Sequence, residues 1–260
     1  MINSRQISEI VAEQYATEFL NDSVGSELFL GSDIEQLLSE KAFVVYQIVD
    51  DPEYFGAAVR FLDKHFIAIN TNQALRLRYY SAAHELWHLQ YESGEIPLAE
   101  IPDFDHERAA DHFAAAVMLP KRLVEKMIEK LDETNEVSVI RIADISSMPY
   151  QAVVRRLQEL GKRFPKALSQ RTENDWVNAR DALDISPSVL DKPNRFIQFS
   201  ALSREVSRLL TAKEINLEVA ANLLKHTDPE QSEAYWKERQ NLIEEMDFDE
   251  QYIKPETKKQ

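Results

Sequence analysis

Between Ala42 and Asn70 the chain leaves a helical period for a strand period, and this single change constrains the fold more than any other feature. Ahead of it, Ile7, Ile10, Val11, Tyr15 and Phe19 recur at helical spacing across residues 1–20, and 33–41 reads as a short helix with an Asp near its start. Then AFVVYQIV (42–49), AAVRFL (57–62) and HFIAIN (65–70) read as strands, with turns at Asp50-Asp51-Pro52 and Asp63-Lys64. Helical patterns follow at about 75–90, 105–118, 122–131, 196–211, 214–225 and 229–246, with Gly94 and Pro97 marking a loop and Pro120 a helix end. Two short helices within 137–161 flank Ser146-Ser147-Met148-Pro149, and 164–193 is mixed. The predicted class is therefore α+β: mostly helical, with a small antiparallel meander packed beside the 75–90 helix. No internal repeat or low-complexity block is present.

The 75–90 helix carries His84-Glu85-Leu86-Trp87-His88. Positions i and i+4 share a helix face, so both imidazoles can reach one metal ion, with Glu85 beside them as a base for water. Taken alone, HExxH is a modest signal. The next helix strengthens it, because four of the six histidines fall between 84 and 112 and His106-Glu107-Arg108-Ala109-Ala110-Asp111-His112 opens that helix. Glu107 and Asp111 are again i and i+4. Catalytic zinc takes three protein ligands, and two His with one Glu is an established set. Glu107 is the expected third ligand, and Asp111 is expected to accept a hydrogen bond from a ligand imidazole. His106 as third ligand, or Asp111 as a direct ligand, remain alternatives. An HExxH helix followed by ExxxD resembles thermolysin-like peptidases. Tyr79, Tyr80, His106 and His112 are candidates for oxyanion or substrate contacts. His65 and His226 read as ordinary histidines.

Composition narrows the chemistry. The chain has no cysteine, which excludes disulfides, thiolate metal sites and cysteine nucleophiles. Two imidazoles and a carboxylate suit one zinc ion per chain. With only five glycines there is no Gly-rich phosphate loop. No secretory leader or membrane span is evident, so a cytoplasmic location without membrane contact is expected. A net charge of -15 opposes nucleic-acid binding over much of the surface.

The runs IAINTN, RLRYYSAAHELWHL and HERAADHFAAAVMLP resemble the ImmA/IrrE metallopeptidase family. The features are Ile67-Ala68-Ile69-Asn70, then Arg76 or Arg78, then Ala83 to Leu89, then Glu107 through Phe113 to Pro120. Two departures stand out: Trp87 replaces the usual glycine, and Met118-Leu119-Pro120 inverts Leu-Met-Pro. Trp87 is expected either to narrow the cleft or to pack beneath it. The likeness is strong over 34–120 and weaker to 161. It implies a zincin-like peptidase domain (1–133), a helix-turn-helix-like segment (134–163) and a helical extension (164–246); the tail (247–260), from its polar composition, is expected to be disordered. The likeness also implies an endopeptidase that acts on a helix-turn-helix-class transcriptional repressor, relieving repression in phage, mobile-element, toxin-antitoxin or stress genes. The alternative is a metal-containing regulator that inactivates a repressor by stoichiometric binding. Nothing in the sequence speaks to the oligomeric state.

In the 134–163 segment, Ala143, Ile145, Val153, Val154 and Leu157 form the expected core, and Ser147 is the expected cap of the second helix, with Pro149 in its first turn. Arg155, Arg156, Lys162 and Arg163 form a basic patch. With so acidic a chain, the segment is expected to pack on the peptidase or receive substrate rather than bind DNA. A substrate segment is expected to dock as an added strand near His65 to Asn70.

Overall fold

The computed structural model describes residues 4–23, 28–61, 64–92, 103–128 and 136–252. The expected features at Leu62, Asp63, Gly94 and Pro97, the helix end at 129–131 and the last part of the tail, 253–260, lie outside the described residues. The chain divides into two compact units, residues 1–196 and 197–260. The 134–163 segment, and 164–196 after it, therefore belong to the first unit.

That unit begins with α1 (Ser4–Ser23) and α2 (Asp33–Lys41), followed by β1 (Phe43–Gln47), β2 (Gly56–Phe61) and β3 (Lys64–Asn70). Next come α3 (Leu75–Glu92), α4 (His106–Met118), α5 (Lys121–Ile128), α6 (Glu136–Ser146), α7 (Tyr150–Glu159), α8 (Lys166–Ser169), α9 (Glu173–Ala182) and a 3-10 turn at Val189–Asp191. The class is α+β, as expected. Its core joins the inner faces of α1, α3, α4, α6 and α7 with β3, and Ile67, Ile69, Leu86, Trp87, Phe113 and Val153 are wholly buried. Burying such side chains stabilises by about 1.5–3 kcal/mol each.

The sheet corrects the meander. Its order is β1-β3-β2, with β1 parallel to β3 and β2 antiparallel to it. Phe43 pairs with Phe66 and Gln47 with Asn70 on one side, and Gly56 with Ile69 and Ala58 with Ile67 on the other. A period of two marks a strand but does not name its neighbour. The 48–55 connection is long enough to carry β2 past β1 to the far side of β3. The strand at His65 to Asn70 is therefore central and paired on both edges, so it cannot accept a further strand. β2 is the edge strand that packs beside α3.

Asn70, fully buried, shapes that loop. Its Oδ1 accepts from the backbone N–H of Val49 and Asn72, and its Nδ2 donates to the carbonyls of Val49 and Tyr54. Arg76, also buried, ties α3 to α6, α7 and the 3-10 turn. It donates to Asp144, Asp191, the Tyr150 hydroxyl and the carbonyls of Ala143 and Met148. Arg78 pairs with Glu35 on α2.

Two expectations for the helix pair fail. Ile145 is exposed rather than core. Ser147 does not cap α7: it holds a left-handed φ of 57° in the turn, and Pro149 precedes the helix. The cap comes instead from Glu173 on α9, whose Oε2 and Oε1 accept from the N–H of Tyr150 at 3.1 Å and Gln151 at 2.7 Å. A partner twenty-odd residues away is invisible to local capping rules.

The second unit holds α10 (Ser200–Thr211), α11 (Leu217–Leu224) and α12 (Pro229–Tyr252) around Val206, Ala220, Ala221, Leu224 and Tyr235. α12 continues to Tyr252, so the start of the expected tail is helical. Among the described residues no helix is long and apolar enough to cross a membrane.

Candidate metal centre and active site

α3 runs without glycine or proline, so His84 and His88 fall one turn apart on a single face. α4 begins at His106, capped by Asp105, whose side chain accepts from the N–H of Arg108. That start places Glu107 in the first turn and Asp111 one turn later on the same face.

The donor atoms converge. His84 Nε2 and His88 Nε2 lie 3.1 Å apart. Glu107 Oε2 is 3.3 Å from the first, and Oε1 is 3.4 Å from the second. An ion held tetrahedrally at roughly 2.0–2.1 Å has ligand atoms about 3.3 Å apart, so the triangle fits a small divalent cation. Among the described residues, His84, His88 and Glu107 are the group of ligating side chains close enough to share an ion. His84 turns its other nitrogen, Nδ1, to Asp111 Oδ1 at 3.2 Å, an arrangement that leaves Nε2 free to bind metal. His106 is instead set edge-on against Phe104, and Asp111 lies on the far side of the His84 ring.

Electrostatics follow from the geometry. Burial opposes charge on His84, but the Asp111 hydrogen bond and the charges of Glu85, Asp111 and Glu107 outweigh it and raise its pKa. Burial and the neighbouring His84 lower that of His88. For Asp111, burial favours the acid, but the bond to His84 and the charges of His84, Arg155 and Arg108 prevail and lower its pKa.

These residues form one floor of a cleft of about 780 Å³. Glu53 to Ala58, on the β1–β2 loop and β2, make one wall. Pro149, Gln151, Ala152 and Arg155 of the α7 region, with Glu173, also line it. Glu85 is buried to 8% exposure yet reaches the cleft. A methyl group placed on Gly56 would sit 2.9 Å from the Ala68 carbonyl oxygen and 3.4 Å from Glu85 Oε1. The Glu85 carboxylate thus lies under the start of β2, and it is the Ala68 carbonyl, rather than Glu85, that a side chain at position 56 would strike. Sequence reasoning missed Gly56. The available signal was a glycine at the head of a strand in a glycine-poor chain.

Of the four contact candidates only Tyr80 lines the cleft, and its hydroxyl donates to the backbone carbonyl of Asp111 at 2.7 Å. Tyr79 faces Arg78 in the core. His112 lies on the opposite face of α4, its Nε2 2.8 Å from Glu13 and its Nδ1 3.1 Å from Glu159. His106 is not part of the lining. Trp87 packs beneath the site, fully buried among Tyr15, Phe104 and Phe113, and does not narrow the cleft.

A helix bearing two histidines and a glutamate, crossed by a second helix with a carboxylate, beside a sheet edge and an open cleft, defines a metallopeptidase-type protein. Residues 44–158 match the family model of the IrrE N-terminal-like domain, a peptidase family, and this match supports the likeness to the ImmA/IrrE family over that segment. The match runs from within β1 to within α7 and contains β2, β3 and both site helices. No curated protein matches the chain.

Proposed function

We propose that this chain is a cytoplasmic zinc endopeptidase that hydrolyses a peptide bond in a regulatory partner, a helix-turn-helix-class transcriptional repressor, and so acts as an antirepressor. The observation that carries the reading is the triangle of His84, His88 and Glu107 donor atoms with Glu85 on the same cleft floor. Nitrogen and oxygen donors without thiolate suit zinc. When bound, the ion supplies Lewis acidity that polarises a carbonyl and acidifies water. Glu85 takes the proton of the attacking water and delivers it to the leaving amine. His84 is oriented by Asp111. A substrate segment in extended form pairs with the outer edge of β2 at Gly56 to Ala58, which borders the cleft.

The repressor as substrate is supported by the family and by the chain's charge. A net charge of -15 favours a basic protein over DNA as partner. Of the four basic residues at 155–163, Arg156 is buried against Glu13 and Arg155 is paired with Asp111, which leaves little of a DNA-binding patch.

The test is Glu85→Gln in the full chain, incubated with zinc and a helix-turn-helix repressor encoded beside it. Zinc content should match wild type, and cleavage should fall about 100-fold or more. Cleavage at the wild-type rate overturns the mechanism. Release of intact repressor from DNA at one-to-one stoichiometry by both proteins favours the non-catalytic regulator.

A further inference from the structure

α7 carries two consecutive arginines that serve different sides of the molecule. Arg156 is buried and pairs with Glu13 on α1. Arg155 is half exposed and stands in the cleft on the face that also presents Gln151 and Ala152 one turn earlier. Among the described residues that line the cleft it is the only lysine or arginine. Its Nη1 donates to Asp111 Oδ2 at 3.1 Å, while Asp111 Oδ1 faces His84 Nδ1 at 3.2 Å. The Asp111 backbone carbonyl is held as well, by the Tyr80 hydroxyl at 2.7 Å. Asp111 is thus fixed at three points by three helices: α3 through Tyr80 and His84, its own α4, and α7 through Arg155.

A half-exposed ion pair ordinarily contributes little to stability. This one differs in what its carboxylate does next. A carboxylate gripped at one oxygen only can rotate about its side-chain bonds. Gripped at both, it presents Oδ1 to His84 in one orientation and keeps the proton on Nδ1, so that Nε2 faces the other ligand atoms. Arg155 also offsets one of two carboxylates set a single turn apart on α4. Arg108 adds its charge to Asp111 as well, but Arg155 is the arginine that hydrogen-bonds the Asp111 carboxylate.

We propose that Arg155 is a positioning residue of the metal centre, holding His84 in its ligating orientation through Asp111. The helix-turn-helix-like segment is thereby a working part of the peptidase site rather than an appended module. The proposal rests on His84, His88 and Glu107 being the metal-holding set.

The experiment measures zinc affinity of the full chain by competition with a chromophoric chelator. Arg155→Ala should bind zinc about 10-fold more weakly, within the range found when partners of metal ligands are removed. Arg155→Lys should recover part of the loss, because an ammonium supplies the charge but not the planar fork. Asp111→Asn should weaken binding too, and adding Arg155→Ala to it should cost nothing further, since Arg155 acts through Asp111. Wild-type affinity in Arg155→Ala overturns the proposal, as does an additive loss in the double variant. A wild-type chain that takes up no zinc overturns the metal centre and this inference together. Uptake by wild type with an unchanged Arg155→Ala overturns this inference alone. Should Arg155→Ala melt well below wild type, Arg155→Lys and the Asp111 pair decide the matter.

Discussion

Glu107 and Asp111 differ by one helical turn, and in the proposed centre that turn separates a ligand from its orienter. Glu107 faces both Nε2 atoms, whereas Asp111 meets His84 at Nδ1. Glu107→Ala should therefore lower zinc affinity by at least about 100-fold, beyond the effect of losing an outer partner, as equilibrium dialysis would measure. This much was legible in the sequence, because both pairs are spaced i and i+4 and the helix period does the rest. Gly56 and Arg155 were not. Each reaches the site from another element, and no local pattern records which element that will be. Trp87 was legible as a departure but not as a placement. Its position, two residues beyond Glu85, turns it away from the cleft into a pocket of Tyr15, Phe104 and Phe113.

At the scale of elements, existence and type were well marked outside the mixed stretch 164–193, which holds α8 and α9, while partners were not. The boundaries of α2 coincide with the expected 33–41, and α4 starts one residue after its expected Asp. The strands were found, but their order was not, since β1 and β2 look alike to a period of two. α7 makes the same point for capping. Its N-terminal amides are satisfied by Glu173, carried on α9, rather than by nearby Ser147. Glu173→Gln keeps one acceptor but loses the charge and the second oxygen at a helix N-terminus. It should destabilise the chain by about 1 kcal/mol, read as a lower thermal midpoint. The same substitution loosens the helix that carries Arg155.

Over the whole first unit, a network of charges binds α1, α4 and α7. Glu13 accepts from Arg156 and faces His112, Glu159 takes the other side of His112, and Arg108 pairs with Glu9 and Glu159. Burial pushes the Glu13 carboxyl up, but hydrogen bonds from Arg156 and His112, with their charges, outweigh it and bring its pKa to about 2 from 4.5. A depressed carboxylate stabilises fully above its unfolded pKa, so this contribution is present above pH 4.5 and lost as pH falls towards about 2. His112 runs the other way. Burial opposes its charge, but Glu13 and Glu159 raise its pKa above 6.5, so its contribution is present below that value and lost as pH rises through the folded pKa. Glu13→Gln should therefore flatten the fall in stability between pH 4.5 and 2 by about 2 kcal/mol, solvent screening included, measured by urea unfolding across that range.

The sequence by itself determined the class, most of the helices (α8 and α9 fell in a stretch whose pattern was mixed), the histidine pair on α3 and the carboxylate pair on α4. All of these follow from periodicity, and periodicity is a property of neighbours within a few residues. Tertiary structure alone decided what lies opposite them. It put β3 in the middle of the sheet and β2 at the cleft, set His112 in a charge network instead of the site, and brought α7 against Asp111. Those placements are fixed by which apolar faces can be buried together and by which buried charges must find partners. Both are settled only when distant parts of the chain meet.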